Sequence, residues 1–326
     1  LAEWLYKHKV ATFEAMTNLP KPLRETLAAR ARIGGFVQVA EQHSAESATT
    51  KRLYRLPDAQ LIESVLMEYE DGRRTACIST QAGCAMGCVF CATGQMGFAR
   101  HLSAGEIVEQ AIHFARLLES EGERLSNVVL MGMGEPLHNY ENTLRAIRRL
   151  NDPNGLNIGQ RHITLSTVGL VPEIKRFAEE GLQVGLAISL HAATDAERSA
   201  LLPINRRYPI REVLEAAHYY VAKTGRRVTF EWALIRGEND TVEQAERLGA
   251  LLRGLLCHVN LIPLNPTGGY GGAPSDPARV EAFRAVLARH GVSSTVRVRR
   301  GIDIQAGCGQ LKTEVLRRQR TRRTAS

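Results

Sequence analysis

The chain has 326 residues and a mass of 36.0 kDa, with 44% apolar and 23% charged residues, which is enough to build one large domain and a small one with ordinary cores. That balance excludes a disordered chain, and with no apolar run near the ~18 residues of a membrane span it excludes a helical membrane protein. The net charge of +8 is concentrated near the end: nine Lys or Arg from Arg297 onward stand against Asp303 and Glu314, so this segment carries +7 of the total, a footprint for phosphate backbones or simply a solvated basic end.

In chain order, "LAEWLYKHKV" has a helical pattern and lacks the basic region, apolar stretch and cleavage site of a signal peptide. The chain is therefore read as cytoplasmic, with a trimmed start before Leu1. "TFEAM" and "PKPLRETLAARAR" predict further short helices, the last begun after Pro20 and Pro22. Residues 1–50 are expected to be a small all-helical domain. Residues 51–74 are expected to be a β connector, because "TTKRLYRL" and "LIESVLMEY" alternate like a hairpin.

From residue 75 an apolar strand alternates with a helix. The expected strands are "TACIST", "NVVLMGM", "HITLSTV", "VGLAISL", "VTFEWALI", "VNLIPLN" and "TVRVRR". A Ser103 to Glu106 capping box opens the first intervening helix. Repeated strand–helix units predict an α/β fold with a parallel sheet, either a whole or partial barrel or a doubly wound sheet. The barrel is favoured because the unusual residues fall at the C-terminal strand ends, which on a β/α barrel share one mouth: the cysteines after "TACIST", then Gly134 and Glu135, Ser166, Ser189 and His191, and Asn265. The barrel is expected over 75–310 and a basic tail over 311–326.

The stretch "GCAMGCVFCATG" places Cys84, Cys88 and Cys91 at C-x3-C-x2-C spacing. Structural zinc takes four ligands, and three thiols fall one short. An iron–sulfur cluster with one iron left open fits the count, while zinc completed by His101 or Cys77 and unligated thiols stay as alternatives.

"CAMGCVFC" resembles the cluster motif of the radical S-adenosylmethionine (SAM) superfamily, and "MGMGEP" its glycine-rich SAM-binding strand end. Together with "ITLSTVGLVP", "ISLHAATD", "NLIPLNP" and "DIQAGCGQL", these stretches resemble the RNA adenine methyltransferases of the RlmN and Cfr group over nearly the whole chain. The resemblance implies a partial (β/α)6 barrel behind an RNA-binding helical domain. It implies that Cys84, Cys88 and Cys91 hold a [4Fe-4S] cluster whose fourth iron takes SAM, and that Gly134, Glu135, Ser166, Ser189, Leu190, His191 and Asn265 line the SAM site. Taken singly, Glu135 also fits a loop carboxylate, His191 a helix start, Ser166 a strand-end hydroxyl and Asn265 a turn before Pro266.

Carbons 2 and 8 of adenine are not nucleophilic, so a radical route is needed. By resemblance, Cys308 takes a methyl group from one SAM and a second SAM, cleaved reductively, yields the radical that removes hydrogen from that methyl. The carbon radical adds to adenine, a base corresponding to Glu63 removes the ring proton, and Cys77 attacks the Cys308 sulfur to release the RNA with a transient disulfide. The segment between Glu63 and Cys77 is one residue longer than the family pattern, so Glu68 and Glu70 compete for the base. Cys257 matches no role and reads as a small core residue.

The same resemblance implies methylation at carbon 2 of 23S rRNA and tRNA adenines, two SAM per turnover, a flavodoxin or ferredoxin as electron donor, no membrane, and a monomer. Carbon-8 methylation conferring antibiotic resistance is the rival within the group. A non-catalytic zinc-containing RNA-binding protein is the rival outside it.

Overall fold

A computed structural model of the chain describes residues 1–297, 300, 301, 303 and 304. The order of elements is α1 (Ala2–Tyr6), α2 (Lys21–Arg30), β1 (Val37–His43), β2 (Thr49–Arg55), β3 (Leu61–Glu68), β4 (Arg74–Cys77), β5 (Gln81–Gly83), α3 (Ala92–Gln95), β6 (Phe98–His101), α4 (Ala104–Ser120) and β7 (Asn127–Leu130). There follow α5 (Tyr140–Asn151), β8 (Ile163–Thr167), α6 (Val171–Ala178), β9 (Gly185–Ser189), α7 (Asp195–Leu201), α8 (Ile210–Thr224), β10 (Val228–Leu234), α9 (Val242–Leu252), β11 (Cys257–Pro263), α10 (Pro277–Arg289) and β12 (Ser294–Val296). Among the described residues no helix is long and apolar enough to cross a membrane.

One ten-stranded sheet runs β1-β2-β3-β4-β7-β8-β9-β10-β11-β12. From β4 to β12 every neighbouring pair is parallel and follows chain order. A doubly wound sheet needs a reversal of strand order, and this one has none, which is the progression of a β/α barrel. At the other end β1, β2 and β3 extend the sheet antiparallel through β4.

The sheet is curled. Laid flat at about 4.8 Å per strand, its two edges would stand about 43 Å apart. Yet the chain leaving β12 reaches the β1–β2 turn within seven residues, at most about 25 Å of backbone: Asp303 accepts from Ser44 Oγ and Ala45 N, both at 2.7 Å, and Gly301 N donates to Ser47 Oγ at 2.9 Å. Arg300 adds a bond to the Glu68 carbonyl at 3.0 Å and lies over the Tyr69 ring.

Strand alternation separates two faces. Leu165, Leu186, Ile188, Phe230, Trp232, Val259 and Leu261 pack outward under the helices in the main core, each contributing roughly 1.5–3 kcal/mol through burial. Thr164, Ser166, Ser189, Thr229 and Asn260, all half-buried, line the inner face, leaving a polar lumen. The predicted capping box is formed, with Ser103 Oγ and the Glu106 carboxylate each accepting the other's backbone N–H. Cys257 is buried in the core as expected.

Two expectations are corrected. "TFEAM" forms turns, not a helix: Met16 N closes back on the Phe13 carbonyl at 3.1 Å, and both side chains are buried. Residues 1–50 are not all helical, since Val37–His43 is a strand paired with β2, and the 51–74 segment is part of the main sheet rather than a separate connector.

Candidate active site

The cysteine loop hangs from the small hairpin of β5 and β6, antiparallel outside the main sheet. Gly83 closes it at φ +75°, where a Cβ would come within 2.0 Å of the Gly97 carbonyl; only glycine fits there. The Cys84 amide then donates to that carbonyl at 2.8 Å, and Cys91 N donates to Cys88 O at 3.2 Å. Burial pushes the Cys84 thiol up to about 12 and the Cys88 thiol well above its ordinary value, and in each case the neighbouring cysteines and Glu135 push further. Two buried thiols that resist ionisation, with a third beside them, need a cation to take their protons' place.

Among the described residues no three His, Cys, Asp or Glu side chains are gathered as ligands of one ion. A polynuclear cluster, in which each thiolate takes its own iron, suits three thiols of this loop better than a single zinc does. The two proposed fourth zinc ligands are engaged elsewhere. His101 shares Gln81 Nε2 at 3.0 Å and packs 4.9 Å from the His138 ring, while Cys77 stands on β4.

Beside the loop, the turn after β7 presses against β5. Gly134, at φ +98°, lies so close that a Cβ would be 2.5 Å from Gln81 Cβ, and Glu135 N donates to Gln81 Oε1 at 2.9 Å. The Glu135 carboxylate is buried and accepts from Leu137 N at 3.0 Å and Val168 N at 2.8 Å. Burial outweighs those bonds and raises it to about 7. Ser166 sits on the lumen face of β8, half-buried.

After β9 the chain turns at His191, in the left-handed region at φ +58°. Its Nδ1 accepts from Ala233 N at 2.9 Å, and its ring meets Phe90 of the cysteine loop edge-on at 5.0 Å. Burial, with help from the Arg198 charge, holds it down at about 3, so it is a neutral ring with its proton on Nε2. Ser189 and Leu190 present their carbonyls to Arg198, and Asn265 is exposed beyond β11.

Arg198 was not singled out from the sequence. It is fully buried, and its guanidinium donates to the carbonyls of Val168 (2.7 Å), Ser189, Leu190 and Tyr208 (each 3.2 Å) and to Asn205 Oδ1 (2.8 Å). It ties the ends of β8 and β9 together. The signal was its place three and four residues before Leu201 and Leu202, on the apolar stripe of α7.

Inside the lumen, β3 and β4 pair with Val65 opposite Cys77, and β2 and β3 with Lys51 opposite Val65 and Leu53 opposite Glu63. Lys51, Glu63 and Cys77 therefore share a face. Lys51 Nζ stands 3.7 Å from Glu63 Oε2 with side chains 1% and 5% exposed, a buried ion pair. Burial raises the Cys77 thiol to about 11, opposed by the charges of Arg297 and Lys51. Of the competing acids, Glu68 pairs with Arg74 at 3.2 Å and Glu70 is exposed. Lys51 too was missed; its signal was a lysine on the same side of the strand as Leu53. Cys308 and the basic tail lie outside the described residues.

Comparison with known proteins follows this geometry. Residues 78–248 match the radical SAM superfamily, and residues 1–33 match a ribosomal RNA large subunit methyltransferase N-terminal domain. A dual-specificity RNA methyltransferase RlmN 1 of Myxococcus xanthus is 57% identical, covering 97% of this chain and 88% of the relative. A probable dual-specificity RNA methyltransferase RlmN of Geobacillus kaustophilus is 48% identical over 96% of this chain and 85% of its own. The crystal structure of a radical SAM methyltransferase from Sphaerobacter thermophilus superposes with a TM-score of 0.91 at 51% identity, covering 94% of this chain and 90% of that one.

Proposed function

The chain belongs to the RlmN family of radical SAM RNA methyltransferases, and from that premise we propose that it methylates carbon 2 of an adenine in 23S rRNA and in tRNA, using a methyl-cysteine and a transient disulfide. The family brings a [4Fe-4S] cluster and SAM. The observation that carries the finer reading is the shared face of Glu63, Lys51 and Cys77 in the lumen, a carboxylate, its cation and a thiol set side by side.

Cys84, Cys88 and Cys91 would hold the cluster, and Gly134, Glu135, Ser166, Ser189, Leu190, His191 and Asn265 would frame SAM. When bound, that pair supplies the radical that carries a hydrogen away from a methyl group. The remaining work falls to the chain. Glu63, kept beside Lys51, accepts the proton that leaves the adenine ring. As the ring proton leaves, the odd electron of the adduct would pass back to the cluster. Cys77, as thiolate, then attacks the sulfur of Cys308, and the S–C bond breaks with its electron pair going to the methylene carbon. That carbon takes up a proton to become the methyl group, and the two cysteines are left as a disulfide that an external thiol reductant reopens. Two SAM are consumed per turnover, one as methyl donor and one as radical source, with a flavodoxin or ferredoxin supplying the electron to a monomeric enzyme.

Support for RNA as substrate comes from the N-terminal domain match and from the named activity of the relatives. The test is mass spectrometry of rRNA and tRNA from cells lacking the protein, with and without complementation. Loss and restoration of 2-methyladenosine is the expected result. An 8-methyladenosine change would assign the other carbon, and no change in either would defeat the proposal.

A further inference from the structure

Another wall of the lumen carries a buried acid that this mechanism does not use. On β10, Phe230 and Trp232 pack into the outer core with no exposed surface, so Glu231 between them faces inward, 5% exposed. Its Oε1 accepts from Asn260 Nδ2 at 3.3 Å, while its Oε2 is buried with no hydrogen-bond partner among the described residues. Burial raises this carboxyl above its usual range, and the charge of Arg297 opposes the rise.

The bond to Asn260 is the end of a directed chain. As a carboxylate Glu231 only accepts, so Asn260 must turn its amide nitrogen toward it and its Oδ1 toward Thr295. Thr295 Oγ1 donates to that Oδ1 at 2.8 Å. Its proton so committed, Thr295 Oγ1 accepts from His258 Nε2 at 2.9 Å, which leaves His258 Nδ1 to accept from Ser293 Oγ, also at 2.9 Å. Four side chains on β11, on β12 and just before it thus fix one oxygen of Glu231 and leave the other, among the described residues, as an acceptor without a donor. Buried polar atoms in native structures are rarely left unmade, because an orphan costs the full desolvation of the group. Sheet register places Glu231 beside Ser189 of the expected SAM site, in the row Ser189, Glu231, Asn260, Thr295.

We propose that Glu231 is a ligand-binding residue of the lumen whose Oε2 accepts a hydrogen bond from an N–H or O–H donor of an adenosine moiety. The inference rests on the function proposed above, which brings two adenosines to the chamber, SAM and the target nucleotide, each with ribose hydroxyls or an exocyclic amine to donate. A carboxylate complements those donors and repels the acceptor nitrogens of the ring, so it also sets the orientation in which the base enters.

The test compares wild type with Glu231→Gln and Glu231→Ala, all with reconstituted clusters under anaerobic conditions. Two affinities are measured: that for SAM without RNA, and the preference for an RNA hairpin bearing the target adenosine over the same hairpin abasic at that position. A loss of roughly tenfold or more in either is expected. Loss of SAM affinity assigns the donor to SAM, and loss of the hairpin preference assigns it to the target nucleotide. Urea melts of the metal-free proteins provide the control. A mere structural acid would make both variants less stable together with any loss of binding, whereas in a binding residue Oε2 has no donor to lose among the described residues of the free protein, so Glu231→Gln, which keeps an acceptor for Asn260, should be as stable as wild type or more so. If the alanine variant does not fold, the isosteric glutamine variant decides alone. Unchanged SAM affinity and unchanged hairpin preference in a folded variant would overturn the inference, as would binding loss that tracks lost stability. Failure of the wild type itself to bind SAM or to prefer the target hairpin would instead sink the proposed function, and the inference with it.

Discussion

At the scale of single residues, the roles proposed for Cys77 and Cys308 separate the proposed chemistry from other radical reactions. If Cys77 acts only after the sulfur–carbon link to RNA has formed, Cys77→Ala should carry RNA that survives denaturation, attached through Cys308, and Cys308→Ala should carry none. Normal turnover by Cys77→Ala without trapped RNA would remove Cys77 from the pathway. His191 makes a different prediction. Its folded-state value of about 3 lies below the ~6.5 of an unfolded histidine. Between those values the unfolded chain binds the proton and the folded chain does not, so the stability His191 contributes is complete above about pH 6.5 and is lost as pH falls toward 3. His191→Asn, which tolerates the left-handed backbone, should flatten that acid limb by on the order of 3–5 kcal/mol in denaturant melts across the range. An acid limb as steep as wild type would mean the ring is not buried neutral. The close-set cysteines of the loop and the tight turn at Gly134 were legible in the sequence because spacing and backbone freedom are local properties. Lys51 and Arg198 were missed: each gave only the signal of a cation on an apolar stripe, and the partners that hold it are set by what the fold places opposite it.

At the scale of elements, strand order and helix alternation were readable because each strand buries an apolar outer row against a helix, and that row is written as runs such as "LAIS" and "TFEWAL". The strand Val37–His43 was missed: it is an edge strand, half-buried, with no apolar row of its own. The ends of β8 and β9 depend on one side chain. Arg198→Met keeps the apolar stem but leaves the carbonyls of Val168, Ser189, Leu190 and Tyr208 without their donor, at about 1–3 kcal/mol each. Global stability should fall by several kcal/mol, and amide hydrogen exchange should rise first at Thr167–Gly169 and Ser189–His191. Exchange rising evenly along all strands would show that Arg198 is not a local staple. The Lys51–Glu63 pair joins β2 to β3 in the same manner. Lys51→Met should cost about 3–5 kcal/mol by leaving a buried carboxylate uncompensated, and the double variant Lys51→Met, Glu63→Gln should recover most of it. A double variant no better than the single one would mean the two side chains are not coupled.

At the scale of the molecule, charge and architecture divide the labour. Six Lys or Arg lie in residues 311–326 against the single Glu314, so removing the segment after Lys312 should weaken RNA binding and flatten its dependence on salt while SAM cleavage without RNA persists. An unchanged salt slope would make that segment a solvated end. Repetition alone left a barrel and a doubly wound sheet open, and the polar residues at the strand ends favoured the barrel; the contacts that close it were not legible, since they join residues more than 250 positions apart, such as Asp303 with Ser44, and no local pattern encodes them.

Those same contacts set a schedule. Arg300, Gly301 and Asp303 reach the turns of the first strands, so a chain still emerging from the ribosome can pair β1 through β11 in sequence but cannot draw the two rims of the sheet together. Contacts of such long range are the slow ones to form, and domains assemble from the N-terminal side during synthesis at about 5–20 residues per second. A partly made chain therefore lacks the contacts that bring the two rims of the sheet together. Rim closure is thus the last step of folding, made only after synthesis has passed Asp303.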